Sequence, residues 1–124
     1  MIIEHINISA PKALLDKEKS FFCNVFDLEV GFRPAFQRQG YWLYSGKQAL
    51  IHLTESNEHF PIEKPGFLDH IAFQLTGLHS LLAKLVDKDI PFHTDSLPEI
   101  GMTQVFFKSP SGVGLEANFL DESI

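Results

Sequence analysis

A short motif occurs twice in this sequence of 124 residues and divides the chain into two similar halves. Glu4-His5-Ile6 stands near the beginning, and Asp69-His70-Ile71 stands in the second half. Each copy opens a segment in which apolar and polar residues alternate, a pattern typical of a half-buried β-strand. In such a strand both histidines point away from the apolar face. A repeat of this kind indicates a chain built from two copies of one structural unit.

Each repeated strand is followed by a helical pattern and then by three shorter extended segments. The first helix is expected to have Ser9 as its cap and Pro11 in its first turn, and the second helix to have Thr76 as its cap. The later strands are expected at residues 29–33, 40–44 and 49–54 in the first copy, and at 91–94, 103–107 and 113–119 in the second.

These elements predict an α+β fold made of two tandem βαβββ modules. The first module covers residues 1–56 and the second residues 67–120, with a linker at 57–66 that contains Pro61, Pro65 and Gly66. Neither module alone is long enough to bury a good core. The two are therefore expected to pack together as a single domain spanning residues 1–124.

Composition argues against several classes of partner. The chain has 10 Lys and Arg against 16 Asp and Glu, a formal net charge of −6, so we expect no nucleic-acid or anionic membrane partner. It has neither a basic leader nor an apolar run of about 18 residues. The single cysteine, Cys23, cannot form a disulfide within the chain. These features predict a cytoplasmic protein.

Four side chains at corresponding positions of the two modules are candidate metal ligands. His52 lies in the last strand of the first module, and Glu116 lies at the matching place in the second. With His5 and His70 they form two pairs, His5/His52 and His70/Glu116. Three imidazoles and one carboxylate suit one divalent zinc, nickel, iron, manganese or cobalt ion, whereas calcium prefers oxygen ligands. Taken singly, each residue has the alternative role of a hydrogen-bonded polar side chain.

The same residues lie in motifs that resemble the vicinal oxygen chelate superfamily of glyoxalases, extradiol dioxygenases, fosfomycin-resistance transferases and bleomycin-resistance proteins. The resemblance covers essentially the whole chain. It rests on Glu4-His5-Ile6, on residues 22–28 at the end of the first helix, on residues 69–73, and on the closing segment at residues 109–116. The family usually has Asp-Pro-x-Gly-x-x-x-Glu in the closing segment, so Ser109 departs from that pattern.

This resemblance implies an open, cup-shaped barrel of two βαβββ modules around a divalent metal, often with two chains assembling the sites as a homodimer. The sequence leaves open whether the modules pair within one chain or across a dimer. The resemblance marks His5, His70 and Glu116 as metal ligands. It marks His52 as a fourth inward position, where glyoxalase-type members generally have Glu.

Two reaction types remain open, both on a small oxygenated organic molecule. In a glyoxalase-like isomerase or lyase, Glu116 would be the catalytic base and His52 a fourth ligand. In an enzyme resembling extradiol dioxygenases, His52 would stay off the metal as an acid/base catalyst. The alternative to an enzyme is a bleomycin-resistance-like binding protein without a catalytic metal.

Five further residues are candidates for substrate binding. Basic side chains bind anionic groups through charge-assisted hydrogen bonds, and aromatic side chains line apolar pockets. A glutamine in the seventh strand matches a position that many small members of the superfamily fill with Gln. The five candidates are Arg33, Arg38, Trp42, His93 and Gln104.

Overall fold

The structure is a computed structural model that describes residues 1–64 and 66–124. Pro65, which belongs to the predicted linker, lies outside the described residues. The chain divides into two compact units, Met1–Glu63 and Lys64–Ile124. The division falls within the segment 57–66.

The first unit is a four-stranded sheet with one helix. Its elements are β1 (Ile6–Ala10), α1 (Lys12–Phe26), β2 (Glu29–Gly31), β3 (Gly40–Ser45) and β4 (Gln48–Glu55). The strand order is β1-β4-β3-β2, with β1 parallel to β4 and the other pairs antiparallel.

The second unit repeats this topology. Its elements are β5 (Ile71–Leu75), α2 (Leu78–Asp87), β6 (His93–Leu97), a 3-10 turn at Pro98–Ile100, β7 (Met102–Lys108) and β8 (Gly114–Leu120). The strand order is β5-β8-β7-β6, and β5 is parallel to β8. The predicted α+β fold of two tandem βαβββ modules is therefore confirmed.

In each unit one sheet face is apolar and the other carries the polar side chains. Alternation along β4 buries Ile51 and Leu53 on the face against which α1 packs, and it turns His52 to the opposite face. The same alternation in β8 buries Leu115 and Ala117 on one face and turns Glu116 to the other. The candidate site residues therefore lie on the sheet faces that the apolar cores leave free.

The predicted helix caps are wrong. Ser9 belongs to β1, and its hydroxyl donates to Asn7 Oδ1 at 2.9 Å, while α1 begins after Pro11 without a side-chain cap. Before α2, Gly77 has a φ of 90°, and Thr76 makes no cap bond. The Glu122 carboxylate instead accepts hydrogen bonds from the backbone N–H groups of Gly77 and Leu78. Glu122 is remote in sequence, so local cap patterns could not reveal it.

All six later strands differ from their predicted bounds, but only two differ by more than one residue at an end. β2 ends at Gly31 rather than at residue 33, and β6 begins at His93 rather than at Pro91. Proline has no backbone N–H for a sheet hydrogen bond, which is consistent with a strand that begins after Pro91. Among the described residues, no helix is both long and apolar enough to cross a membrane.

Candidate functional site

The second unit places His70 directly against Glu116. Glu116 lies in the middle of β8, and His70 immediately precedes β5, the parallel neighbour of β8. His70 Nε2 and Glu116 Oε2 are 2.7 Å apart. The Glu116 side chain is only 8% exposed, whereas that of His70 is 39% exposed. The pair therefore has one buried carboxylate and one imidazole that solvent can reach.

Gly114 permits this close approach of the two strands. A Cβ built on Gly114 would lie 2.5 Å from the backbone oxygen of Asp69 and 3.3 Å from the Cβ of His70. Real Cβ atoms essentially never come so near a backbone oxygen, so a larger residue would push the segment before β5 away. Glycine at this position thus holds His70 beside Glu116.

Each member of the pair is held by a second partner. Asp69 Oδ2 lies 2.8 Å from His70 Nδ1, and the Gln104 side-chain amide donates to Glu116 Oε1 at 2.6 Å. The hydrogen bond to Asp69 raises the pKa of His70. Burial opposes this with a smaller effect, and the charges of Glu116 and Asp69 raise the pKa further. Carboxylate and amide partners of this kind orient the side chains that bind metals.

The first unit places His5 and His52 face to face. Their rings are 3.8 Å apart and within 4° of parallel. Trp42, on the other neighbouring strand, stacks on His52 at 4.1 Å and 17°. Because β4 lies between β1 and β3, the His52 ring lies between those of His5 and Trp42.

The protonation of His52 follows from its surroundings. Its Nε2 lies 3.0 Å from the backbone oxygen of Ala49, so this nitrogen carries the proton and Nδ1 is the free acceptor. Burial lowers the pKa of His52, and the neighbouring His5 lowers it further. Both effects favour a neutral imidazole at physiological pH.

The parallel stacking of the His5 and His52 rings restricts how these two side chains can bind a metal ion. An imidazole nitrogen binds a metal through a lone pair that lies in the plane of its ring. Two parallel planes share no point, so an ion in the plane of one ring lies out of the plane of the other. In this arrangement the two histidines cannot bind the same ion unless one ring turns.

The other predicted substrate-binding residues occur in both units. Trp42 belongs to the stack on His52, and Arg33 lies in the loop that precedes β3, where its Nη2 donates to the backbone oxygen of Arg38 at 3.0 Å. The Arg38 residue is exposed. His93 stacks on Phe106 at 4.7 Å, and Gln104 holds Glu116.

Two residues of this arrangement were missed as functional candidates by sequence reasoning. Asp69 belongs to the repeated motif, but the motif predicts no role for it. Phe106 lies opposite Glu116 in the sheet register, with its ring edge-on to that of His70 at 6.3 Å. Period-two alternation in β7 would have placed Phe106 on the same face as Gln104.

The candidate ligands occur as one pair in each unit. Within residues 1–64 and 66–124, no group of three or more His, Cys, Asp or Glu side chains has the geometry to hold a metal ion. The complete four-residue ligand set therefore remains a prediction from the sequence.

Solved structures of the same fold cover almost the whole chain. A glyoxalase/bleomycin resistance protein/dioxygenase domain from Frankia sp. EAN1pec has a TM-score of 0.79 at 20% identity, with 100% of this chain and 95% of that chain covered. The fosfomycin resistance protein FosX from Listeria monocytogenes, in complex with Mn(II) and dihydroxypropylphosphonic acid, has a TM-score of 0.74 at 15% identity, with 97% and 94% covered. Lactoylglutathione lyase from Agrobacterium tumefaciens has a TM-score of 0.67 at 20% identity, with 95% and 92% covered.

These neighbours define the structural class of the protein. No family model and no curated protein sequence matches this chain. The structural neighbours are nevertheless glyoxalase/bleomycin resistance/dioxygenase-type proteins of the vicinal oxygen chelate superfamily. The resemblance predicted from the sequence motifs is thus confirmed, and the chain has the fold of that superfamily.

Proposed function

We propose that the protein is a divalent-metal-dependent enzyme of the glyoxalase/dioxygenase type, acting on a small organic molecule with vicinal oxygen atoms. The observation that carries the proposal is the His70–Glu116 pair. One nitrogen and one oxygen meet on a free sheet face, while Asp69 and Gln104 hold the other nitrogen and the other oxygen. Metal ligands and their supporting partners are typically arranged in this way.

The His70–Glu116 geometry fits an ion of ordinary size. Two ligand atoms bound to one ion at about 2.1 Å, with an angle near 90–110°, are roughly 3.0–3.4 Å apart. The His70 and Glu116 atoms are 2.7 Å apart, so a small separation of the side chains admits the ion. One imidazole and one carboxylate suit zinc, nickel, iron, manganese or cobalt. FosX, with the same fold, was solved with Mn(II).

The first unit is proposed to supply the remaining protein ligand. We assign this role to His5 rather than His52, because two parallel rings cannot serve one ion and because Glu4 Oε1 lies 3.0 Å from His5 Nδ1, the same support that the repeated motif gives His70. The proposed ligands are thus His5, His70 and Glu116. They come together either within one chain or across a homodimer. A cytoplasmic location remains part of the proposal.

The proposed roles of the side chains follow from their protonation. A bound metal would act as a Lewis acid on the vicinal oxygens of the substrate. Neutral His52 offers its Nδ1 lone pair as an acceptor for a substrate proton. Glu116 is the base in the isomerase or lyase alternative. The placement of His52 outside the ligand set favours the dioxygenase-like arrangement of two histidines and one carboxylate.

Metal binding by untagged protein tests the proposal. Metal analysis after loading with zinc, nickel, iron, manganese or cobalt should give about one ion per proposed site. His70→Ala should abolish this binding because it removes a ligand atom. His79→Ala is the matched control, since His79 is an exposed histidine on α2. Near-zero stoichiometry with all five metals would contradict the proposal.

The role of His52 has its own test. His52→Ala should leave the metal stoichiometry unchanged, whereas His5→Ala should lower the metal affinity, because only His5 is assigned as a ligand. Calorimetric titration of the metal-free variants with Zn²⁺ measures both effects. Equal loss of metal binding in the two variants would show that His52 is a ligand and would refute its assignment as an acid/base group.

A binding protein without a catalytic metal is the second candidate. The observation that favours it is the aromatic stack of His5, His52 and Trp42, which presents a ring surface independent of any ion. If this candidate is correct, ligand binding should survive both a chelator and Glu116→Ala. The enzyme proposal requires that both treatments abolish turnover.

A further inference from the structure

One cation beside the aromatic stack has no ionic partner. Arg33 lies in the loop between β2 and β3, and no carboxylate among the described residues is within ion-pair distance of it. Its Nε is buried and has no hydrogen-bond partner within residues 1–64 and 66–124. A buried donor without a partner is costly, and it commonly marks a place where another group completes the site.

Arg33 lies over the same sheet face as the stack. A Cβ on Gly40 would be 3.2 Å from Arg33 Nη2, so the guanidinium packs against Gly40. Gly40 and Trp42 are two residues apart on β3 and share a face, and Trp42 is opposite His52 in the register. The cation therefore borders the face that carries Trp42 and His52.

The exposed ring of Phe36 contacts both the Arg33 guanidinium and the aromatic stack. The Arg33 guanidinium lies 4.8 Å from the centre of the Phe36 ring, and Phe36 is 6.2 Å from Trp42. Phe36 is 52% exposed although it contacts both Arg33 and Trp42, so part of its ring surface is open to solvent. An apolar ligand body would cover this ring.

The loop is held in place around Arg33. The Tyr44 hydroxyl donates to the backbone oxygen of Phe32 at 2.6 Å, and Arg33 Nη2 donates to that of Arg38 at 3.0 Å. The backbone N–H of Glu55 donates to Gln39 at 2.8 Å. These bonds fix the two ends of the loop and orient the guanidinium, which keeps further donors for a ligand.

We propose that Arg33, Phe36 and Trp42 form a subsite for a small aromatic carboxylic acid, whose carboxylate pairs with Arg33 and whose ring packs on Phe36 and Trp42. A carboxylate supplies the negatively charged partner for the Arg33 guanidinium, and a planar ring matches the exposed aromatic surface. As a statement about the substrate, this inference rests on the proposed enzymatic function. As a statement about binding, it needs no metal.

Trp42 provides a direct optical probe, because it is the only tryptophan of the chain. Metal-free protein in excess chelator is titrated with benzoate, phenylacetate and the uncharged analogue benzamide, with Trp42 fluorescence and calorimetry as readouts. The two carboxylates should give a saturable change, and benzamide should bind at least about tenfold more weakly, since the charge-assisted bonds are lost.

Variants of Arg33 distinguish the effect of its positive charge from the effect of the surrounding residues on benzoate binding. Arg33→Gln should weaken benzoate binding at least about tenfold, and Arg33→Lys less, because the lysine keeps the charge but loses the planar fork. Lys17→Gln, at an exposed position of α1, removes the same charge and should change nothing. The comparison of benzoate with benzamide needs no variant, so it holds even if Arg33→Gln does not fold.

Two results would overturn the subsite: no saturable signal from either carboxylate, or equal affinity for benzoate and benzamide. Since chelator is present throughout, such a failure leaves the proposed metal site untouched. Conversely, failure of the His70→Ala metal experiment leaves this titration unaffected. The two proposals can therefore fail independently.

Discussion

Replacement of Glu116 by glutamine is expected to weaken Zn²⁺ binding by at least about 100-fold, since partners outside the ligand set alone account for roughly 10–100-fold. The amide keeps the size of the side chain but lacks the negative charge that a divalent ion requires. Because Glu116 lies in the middle of β8 and only 8% of its side chain is exposed, water cannot readily substitute for the missing oxygen. Calorimetric titration of metal-free protein measures the change.

A variant of Gln104 provides a milder change for comparison with Glu116→Gln in the same Zn²⁺ titration. Gln104→Ala removes only the donor to Glu116 Oε1 and should weaken Zn²⁺ binding about 10–100-fold. The order of affinities should therefore be wild type, Gln104→Ala and then Glu116→Gln. Wild-type affinity in the Glu116 variant would remove this carboxylate from the ligand set.

Substitution of Gly114 by alanine should damage both the fold and the site. The added Cβ would meet the Asp69 backbone oxygen at 2.5 Å, and a main-chain oxygen cannot turn aside as the end of a flexible side chain can. The segment before β5 must shift from β8, at an expected cost of about 1–3 kcal/mol in the free energy of unfolding. His70 moves with it, so metal affinity should also fall. Urea denaturation and Zn²⁺ titration measure the two effects.

Gly66 offers the matched control for Gly114. A Cβ on Gly66 meets none of the described atoms within 4 Å beyond its chain neighbours, so Gly66→Ala should leave the unfolding free energy and the metal affinity close to those of the wild type. If Gly114→Ala were as stable as Gly66→Ala and bound metal equally well, close approach at Gly114 would not hold His70 in place.

The topology of each unit could be predicted because its signals are local and occur twice. Alternation at Ile6 and Ile8, and again at Ile71 and Phe73, placed the first strand of each unit and turned both histidines to the free face. Pattern reasoning could not supply the helix cap at Gly77, because the carboxylate comes from Glu122, far along the chain. Strand bounds near Pro91 shifted because a proline cannot donate to a sheet.

The candidate site could be proposed from the sequence as a set of residues, but not as a geometry. Matching of the repeats selected His70 and Glu116, and the structure places these two in contact. No sequence pattern indicated that His5 and His52 would stack in parallel, because ring orientation depends on Trp42 and on the Ala49 backbone oxygen. The proposed assignment of His52 as an acid/base group rather than a ligand depends on this orientation of the rings.

The strand orders have a consequence for synthesis on the ribosome. Within the two described sheets, β1 and β5 are edge strands with one neighbour each, and in both units that neighbour is the last strand to be made. Domains generally fold as units from the N-terminal side during synthesis, and non-local pairings form slowly. The segment that contains His70 therefore cannot contact Glu116 until β8 has been synthesised. The contact between them should be among the last to form in the nascent chain.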